Sequence, residues 1–395
     1  MMDETAEAMI RRSGLSRREF LRNGALVVAG AGSLSTFLAA CSSSTPTPTK
    51  TTTAAVVGAG GMAKLIAGAK REGRLNVIAL PADWANYGAI MSTFKSKYGI
   101  ALTDAAPDDS SAEENQAIIS LKGQSRAPDA VDVGPSFAQS GTKQGLYAPF
   151  KVSTWDTIPD NMKDPNGYWT ADYYGVMSFG TNTNVVKNPP KTWDDLLKPE
   201  YKGMVSIDGD PRSAADAFSA VFAAALANGG SVDDISPGID FFVKVKNAGN
   251  FNPTDCYPAN IVKGATPIAI KWDYLNLGYK QTWAGNPPYE VSIPTTGVYG
   301  GYYCQAVSAT APNPDAARLW EEFLYSDEGQ LLYLAGFSHP ARYLNLASTG
   351  KIPASLAAKL PPASAYASAT FATPEQITKA GAVVQAEWGS KMGVA

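Results

Sequence analysis

One histidine, His339, and three cysteines, Cys41, Cys256 and Cys304, serve 395 residues. A zinc site built on several imidazoles is therefore excluded, and a His-based catalytic triad would have to turn on that single position. Charged residues make up 17% of the chain and the net charge is −3, with no block of Lys or Arg beyond the N-terminus. Nucleic-acid binding thus has no electrostatic footprint. Beyond the first forty residues no uncharged apolar run is long enough to span a bilayer. What is present is an ordinary hydrophobic fraction of 45%, which rules out global disorder. The length exceeds one hydrophobic core, so two lobes or domains are expected.

Residues 1–40 read as an address. Ser16-Arg17-Arg18-Glu19-Phe20-Leu21 is a twin-arginine export signature, followed by an uncharged stretch from Gly24 to Ala40. Leu38-Ala39-Ala40-Cys41 has the form of a lipoprotein cleavage box, with Cys41 the lipidated first residue of the mature chain. Removing five Arg and four acids leaves a mature charge of −4. Residues 41–60, rich in Ser, Thr, Pro and Gly, form a stalk that cannot bury a core. The expectation is an extracytoplasmic protein held to the membrane by its N-terminal lipid alone. In such an oxidising compartment Cys256 and Cys304 could pair or stay as two separate thiols; the sequence leaves both open.

Ala55 to Ala63 also fits a G-x-G-x-x-A dinucleotide fingerprint, with a strand at Leu75–Leu80 and Asp83 beyond it. That would make the protein an exported NAD(P)-dependent oxidoreductase. The supposed first strand is only four residues long and abuts the stalk, and Asp83 lies past Pro81, so the glycines read more simply as linker.

From Lys64 onward strand and helix alternate. A helix leads into strand 75–80; a helix near 86–98, a strand near 100–103, a helix near 112–123 and a strand near 130–133 follow. This βαβ order argues a parallel or mixed sheet covered by helices. Thr192-Trp193-Asp194-Asp195 reads as a capped short helix, and Asn313-Pro314 as a cap with Pro at the first helical position.

Three segments carry a resemblance: Ala69-Lys70-Arg71-Glu72-Gly73-Arg74-Leu75, the run from Thr192 to Gly203 (TWDDLLKPEYKG), and Asn313-Pro314-Asp315-Ala316-Ala317 leading to Phe323–Gln330. In order and spacing these resemble the solute-binding proteins of bacterial ABC importers, in the branch holding polyamine, iron, thiamine and phosphonate binders. The resemblance implies a type II periplasmic-binding-protein fold: α/β, two-lobed, with a ligand cleft between the lobes and two crossover strands. It places lobe one at 61–183 plus 301–395 and lobe two at 184–300, with crossovers near Val176–Thr183 and Tyr302–Ser308. It further implies a monomer with no cofactor and no chemistry of its own, delivering a small solute to ABC permease subunits.

In such sheets ligands lie beyond the carboxyl ends of strands. The candidate contacts are Asp83, Trp84 and Tyr87 after the first strand, and Ser136 and Phe137 at a helix start. Asp210, Arg212 and Ser213 precede a second-lobe helix, Trp272, Asp273 and Tyr274 end a strand, and Tyr302 borders the return crossover. Trp84, Tyr87 and Trp272 offer ring faces to a nitrogen-bearing cation, with Asp210 and Asp273 as counter-ions. Arg212, Ser213 and the helix end would instead suit a phosphate or phosphonate. The adjacent Tyr302-Tyr303 invites a ferric reading, but the resembling iron binders carry their tyrosine pair where this chain has Trp272-Asp273-Tyr274. His339 is expected to hold a structural place in a late turn.

Overall fold

The computed structural model describes residues 61–394 together with the backbone of Ala55–Val56. The export signature, Cys41 and the stalk apart from Ala55–Val56 lie outside the described residues; those two, expected to be stalk, pair with Phe150–Lys151 instead. In chain order the elements are β1 (Ala55–Val56), α1 (Gly61–Glu72), β2 (Arg74–Ile78), α2 (Tyr87–Tyr98), β3 (Ala101–Ala105), α3 (Ser111–Ser120), β4 (Ala130–Val133), α4 (Pro135–Lys143), β5 (Tyr147–Ala148), β6 (Phe150–Lys151) and β7 (Thr170–Asn182). Then come β8 (Val205–Ile207), α5 (Ala215–Ala227), α6 (Ser236–Asn247), α7 (Pro258–Val262), β9 (Ile268–Trp272), α8 (Asp273–Trp283), β10 (Tyr289–Ser292) and β11 (Tyr299–Ser308). The chain closes with α9 (Pro314–Leu324), α10 (Asp327–Ala335), β12 (His339–Pro340), α11 (Tyr343–Ser348), α12 (Ala354–Ala357), β13 (Thr370–Phe371) and α13 (Pro374–Met392).

The long strands β7 and β11 pair antiparallel and carry the architecture. The far half of β11 receives β4, with Cys304 opposite Val133 and Val307 opposite Ala130. The far half of β7 receives β9, Met177 opposite Trp272, and β10. Each strand thus serves the sheet of one α/β lobe at one end and meets its partner between the lobes. β4 and β9 are buried along their whole length, and their sequences AVDV and IAIKW read as nearly unbroken apolar runs, as double-sided burial requires. Two polar exceptions, Asp132 and Lys271, stand out in those runs.

Local signals set the helix starts. Pro314 occupies the first turn of α9, and Thr373 and Gln376 form a reciprocal capping box on α13. Asp195 caps the turn after Thr192, its carboxylate accepting from the Lys191 and Thr192 amides at 2.9 and 3.0 Å. Helix α13 packs on α4 of the first lobe and α6 of the second. Trp388 meets Phe242 edge-on at 5.8 Å, and Thr378 donates to Gln139 at 2.6 Å.

Two open alternatives are resolved here. β1 pairs with β6 in a two-stranded ribbon and not at the centre of a parallel sheet, which speaks against the dinucleotide-site alternative. No disulfide joins Cys256 and Cys304, which are buried free thiols; Cys304 lies within β11 and Cys256 precedes α7. His339 pairs with Tyr174 as part of β12, stacks on its ring at 5.1 Å and meets Tyr366 edge-on at 4.7 Å. Burial pulls its pKa down to about 4, so it is a neutral packing residue at pH 7.

Candidate ligand site between the lobes

Where the lobes meet, rings from both form one aromatic group. Trp84, in the turn after β2, meets Tyr303 of β11 edge-on at 5.5 Å and Tyr274 of α8 at 6.3 Å. Tyr173 of β7 stacks on Tyr303 at 5.9 Å, and Trp272 stacks on Tyr274 at 6.2 Å. Glycines on the crossover strands admit these rings: a Cβ on Gly301 would lie 2.4 Å from the Trp272 ring, and one on Gly175 2.5 Å from Tyr274. On the far side of Trp272 a cavity of about 20 Å³ is bounded by Ser136, Ala215, Ser219, Gly300 and Ile377. That is room for roughly one water.

The charges around these rings do not balance. Lys271, 1% exposed at the end of β9, ion-pairs with Asp208 and lies 3.6 Å from Asp216. Burial opposes its charge, but Asp208, Tyr279, Cys256 and Asp216 outweigh that and hold it as an ammonium. The ammonium sits over the Trp84 ring at 5.7 Å, a cation–π contact made across the cleft. Against this one cation stand Asp208 and Asp216 in the second lobe and Asp132 and Asp172 in the first. Asp132 Oδ1 and Asp208 Oδ1 are buried without a hydrogen-bond partner, as is the Tyr274 hydroxyl. Burial pushes Asp132 up to about 7 against the hydrogen bonds it accepts from Tyr87 and Tyr173, and Asp216 up to about 8 against the pull of Lys271.

The structure distributes the sequence-predicted residues unevenly. Trp84, Trp272 and Tyr274 come together in the aromatic group, and Ser136 and Tyr302 line the small cavity. Tyr87 is buried and turns its hydroxyl inward to Asp132 at 2.7 Å, so it offers no open ring face. Asp83 is exposed, and the Phe137 carbonyl is held by Asn115. The two counter-ions expected from sequence are engaged elsewhere. Asp210 is gripped by Arg212 at 2.6 Å, with the Ser213 amide on its own carbonyl, and Asp273 accepts from the Val176 amide and the Tyr366 hydroxyl. Tyr302 and Tyr303 part company: Tyr302 stacks on Trp169, and Tyr303 joins the Trp84 group. Asp132, Asp172, Asp216 and Tyr173 stand by these rings although the sequence reading did not single them out. The available signal was an acid embedded in an apolar strand, as in Ala130-Val131-Asp132-Val133.

The family model described as bacterial extracellular solute-binding protein matches residues 127–362. The chain belongs to that family. Its members are binding proteins and not enzymes, which removes the oxidoreductase reading and fits the extracytoplasmic expectation. Among relatives, an uncharacterized protein of Haemophilus influenzae is 30% identical over 201 residues, 48% of this chain and 55% of that protein. A putative 2-aminoethylphosphonate-binding periplasmic protein of Salmonella typhimurium is 26% identical over 214 residues, 51% of this chain and 58% of that one. The matches thus span little more than half the length of these relatives. The solved structure of the periplasmic binding protein AfuA from Actinobacillus pleuropneumoniae, with fructose-6-phosphate bound, is similar with a TM-score of 0.63 at 19% identity, over 82% of this chain and 99% of that one. Such a likeness speaks for the fold, and the fold of this solute-binding protein is two-lobed.

Proposed function

We propose that this solute-binding protein captures a small organic cation between its lobes and delivers it to the permease of an ABC importer, tethered by a lipid on Cys41 after twin-arginine export. The observation that carries the ligand class is the carboxylate excess where the lobes meet: Asp132 and Asp208 keep unpartnered buried oxygens, and Lys271 is the one cation shared by Asp208 and Asp216. Unpaired buried carboxylates are costly unless a positive group joins them. Trp84, Tyr274 and Tyr303 would supply ring faces to such a group, as Trp84 already does for Lys271. The small cavity admits no organic solute, so entry requires the lobes to part about β7 and β11, the hinge closure usual for cleft binders.

A second reading is a zwitterion whose acidic end lies at the starts of α4 and α5. These two helix starts converge, a Cβ on Gly134 lying 2.5 Å from that of Ala215, and their N–H groups suit an anion. The relative named for 2-aminoethylphosphonate, itself an amine, accords with it. A thermal-shift screen of simple alkylamines, diamines, 2-aminoethylphosphonate, sugar phosphates and ferric citrate separates the classes, because a bound solute raises stability by mass action. Stabilisation by amines supports the cation reading; stabilisation only by amine-free phosphates would overturn it.

A further inference from the structure

Solute capture leaves one buried arrangement in the first lobe unexplained. The Tyr87 hydroxyl lies 2.7 Å from Asp132 Oδ2 and 3.0 Å from Asp172 Oδ2, so two carboxyls share one phenol. A hydroxyl has a single hydrogen and can donate to only one of them. The other donors near these atoms are already assigned. Trp84 Nε1 donates to the Tyr173 hydroxyl at 2.7 Å, which leaves that hydroxyl to donate to Asp132 Oδ2 at 3.0 Å. Tyr333 donates to Asp172 Oδ2 at 2.8 Å. Gln305 takes the Trp320 indole N–H on its oxygen at 3.2 Å, which fixes its amide to donate toward Tyr87 and Asp172. With Tyr87 donating along its shorter contact to Asp132, the contact between Asp172 and the Tyr87 oxygen is one hydrogen short.

We propose that Asp132 and Asp172 form a dyad that holds one proton, on Asp172 and donated to Tyr87, and that capture of a cation against Asp132 releases this proton to solvent. This rests on the cation reading above. The charge balance is simple: one positive charge enters and one proton leaves, so the buried pair changes from one negative charge to two as the incoming cation supplies the compensation. The dyad would then favour solutes carrying a positive charge where they meet Asp132, because a neutral solute cannot displace the proton.

The surroundings reinforce the count. The other titratable groups facing the pair are acids, phenols and a thiol: Glu114 on α3 accepts from the Asp132 amide at 2.9 Å, Glu321 on α9 is buried, and Tyr173, Tyr333, Tyr325, Tyr274, Tyr303 and Cys304 stand around it. Across the cleft, Lys271 is engaged by Asp208 and Asp216. Two fully ionised carboxylates this close and this buried cannot both persist without a proton or a cation. Burial, and then the Asp132 charge, drive Asp172 well above the usual carboxylate range. The unpartnered Asp132 Oδ1 is where a cation would sit, since Asp132 touches the Tyr173 hydroxyl at 3.0 Å and Tyr173 stacks on Tyr303 of the aromatic group.

The test is titration calorimetry of the full mature protein with n-butylamine at pH 7 in phosphate and in Tris, whose ionisation heats differ. We expect release of about one proton per amine bound, and an affinity that strengthens up to about tenfold per pH unit below the dyad's titration. Asp172→Asn, which fixes a neutral partner, should bind without proton release and with a flat pH dependence. Amine binding with no proton release would overturn the dyad and leave the cation reading standing. Failure of n-butylamine to bind at any pH would count against the cation reading itself. The dyad is then decided without ligand, by carbon-13 carboxyl titration: one carboxyl of the two still protonated at pH 7 supports it, and two ionised carboxyls at pH 7 overturn it.

Discussion

Trp84 Nε1 donates to the Tyr173 hydroxyl at 2.7 Å, and that hydroxyl lies 3.0 Å from Asp132, so the indole at the cleft is wired to the buried acid through one phenol. Trp84 therefore does two things, presenting a ring face and fixing the direction of the Tyr173 hydroxyl. Trp84→Ala should lose both and weaken amine binding by more than about tenfold, taking roughly 2 kcal/mol for a desolvated cation–π contact and 1.4 kcal/mol per decade. Trp84→Phe keeps a face and loses the donor, and should fall between. Calorimetry of the two variants checks the order.

Lys271 offers a stability prediction. Replacing it by Met leaves Asp208 and Asp216 buried without their cation, and removing one partner of a buried ion pair costs about 3–5 kcal/mol. Urea unfolding at pH 8 should show that loss. Adding Asp208→Asn to Lys271→Met should recover part of it, since one unpaired charge disappears.

Stability should also depend on pH in an uncommon direction. Asp132, Asp172 and Asp216 have folded pKa values raised above those of the unfolded chain, Asp132 to about 7 and Asp216 to about 8. Between the unfolded carboxylate value of about 4 and these folded values, the native state binds more protons, so stability falls as pH rises. His339, lowered to about 4, acts in the opposite sense but only below its unfolded value of about 6.5. Across pH 6.5 to 8.5 the ligand-free protein should lose melting temperature as pH rises, and Asp132→Asn should flatten the slope. Scanning calorimetry across that window measures it.

The hinge supplies a packing prediction. Gly301 gives its Cβ position to the Trp272 ring, and a methyl there would lie 2.4 Å from Cη2. Gly301→Ala should displace Trp272, lower the melting temperature by several degrees, an overpacking cost of about 1–3 kcal/mol, and shift tryptophan fluorescence. Gly381→Ala, on α13 with open space around it, should do none of these.

Much of this architecture was legible because it is local. The Asn313-Pro314 start of α9 and the alternation from α1 to β4 are written in caps and periodicity, and the clustering of Trp84, Trp272 and Tyr274 follows from their places after strands. The counter-ions were not legible. Nothing in the spacing tells that Arg212 folds back onto Asp210, or that Asp273 is taken by the Val176 amide and Tyr366, 93 residues away. Asp132 and Asp172 lie forty residues apart and meet because β11 sits between β4 and β7, with Gln305 opposite Asp132 on one side and Thr170 on the other. That adjacency is set by strand order, which no local pattern encodes.

The most direct test of the account compares two charge deletions against n-butylamine and 2-aminoethylphosphonate by titration calorimetry. Asp132→Asn removes the carboxylate whose Oδ1 is buried without a hydrogen-bond partner, while Arg212→Ala removes a guanidinium already bound to Asp210. The account predicts that Asp132→Asn weakens amine binding by more than about tenfold, since leaving a buried charge without its partner costs roughly 2–5 kcal/mol, and that Arg212→Ala changes it by less than about threefold. Undiminished amine binding by Asp132→Asn, with binding abolished in Arg212→Ala, would contradict the cation site.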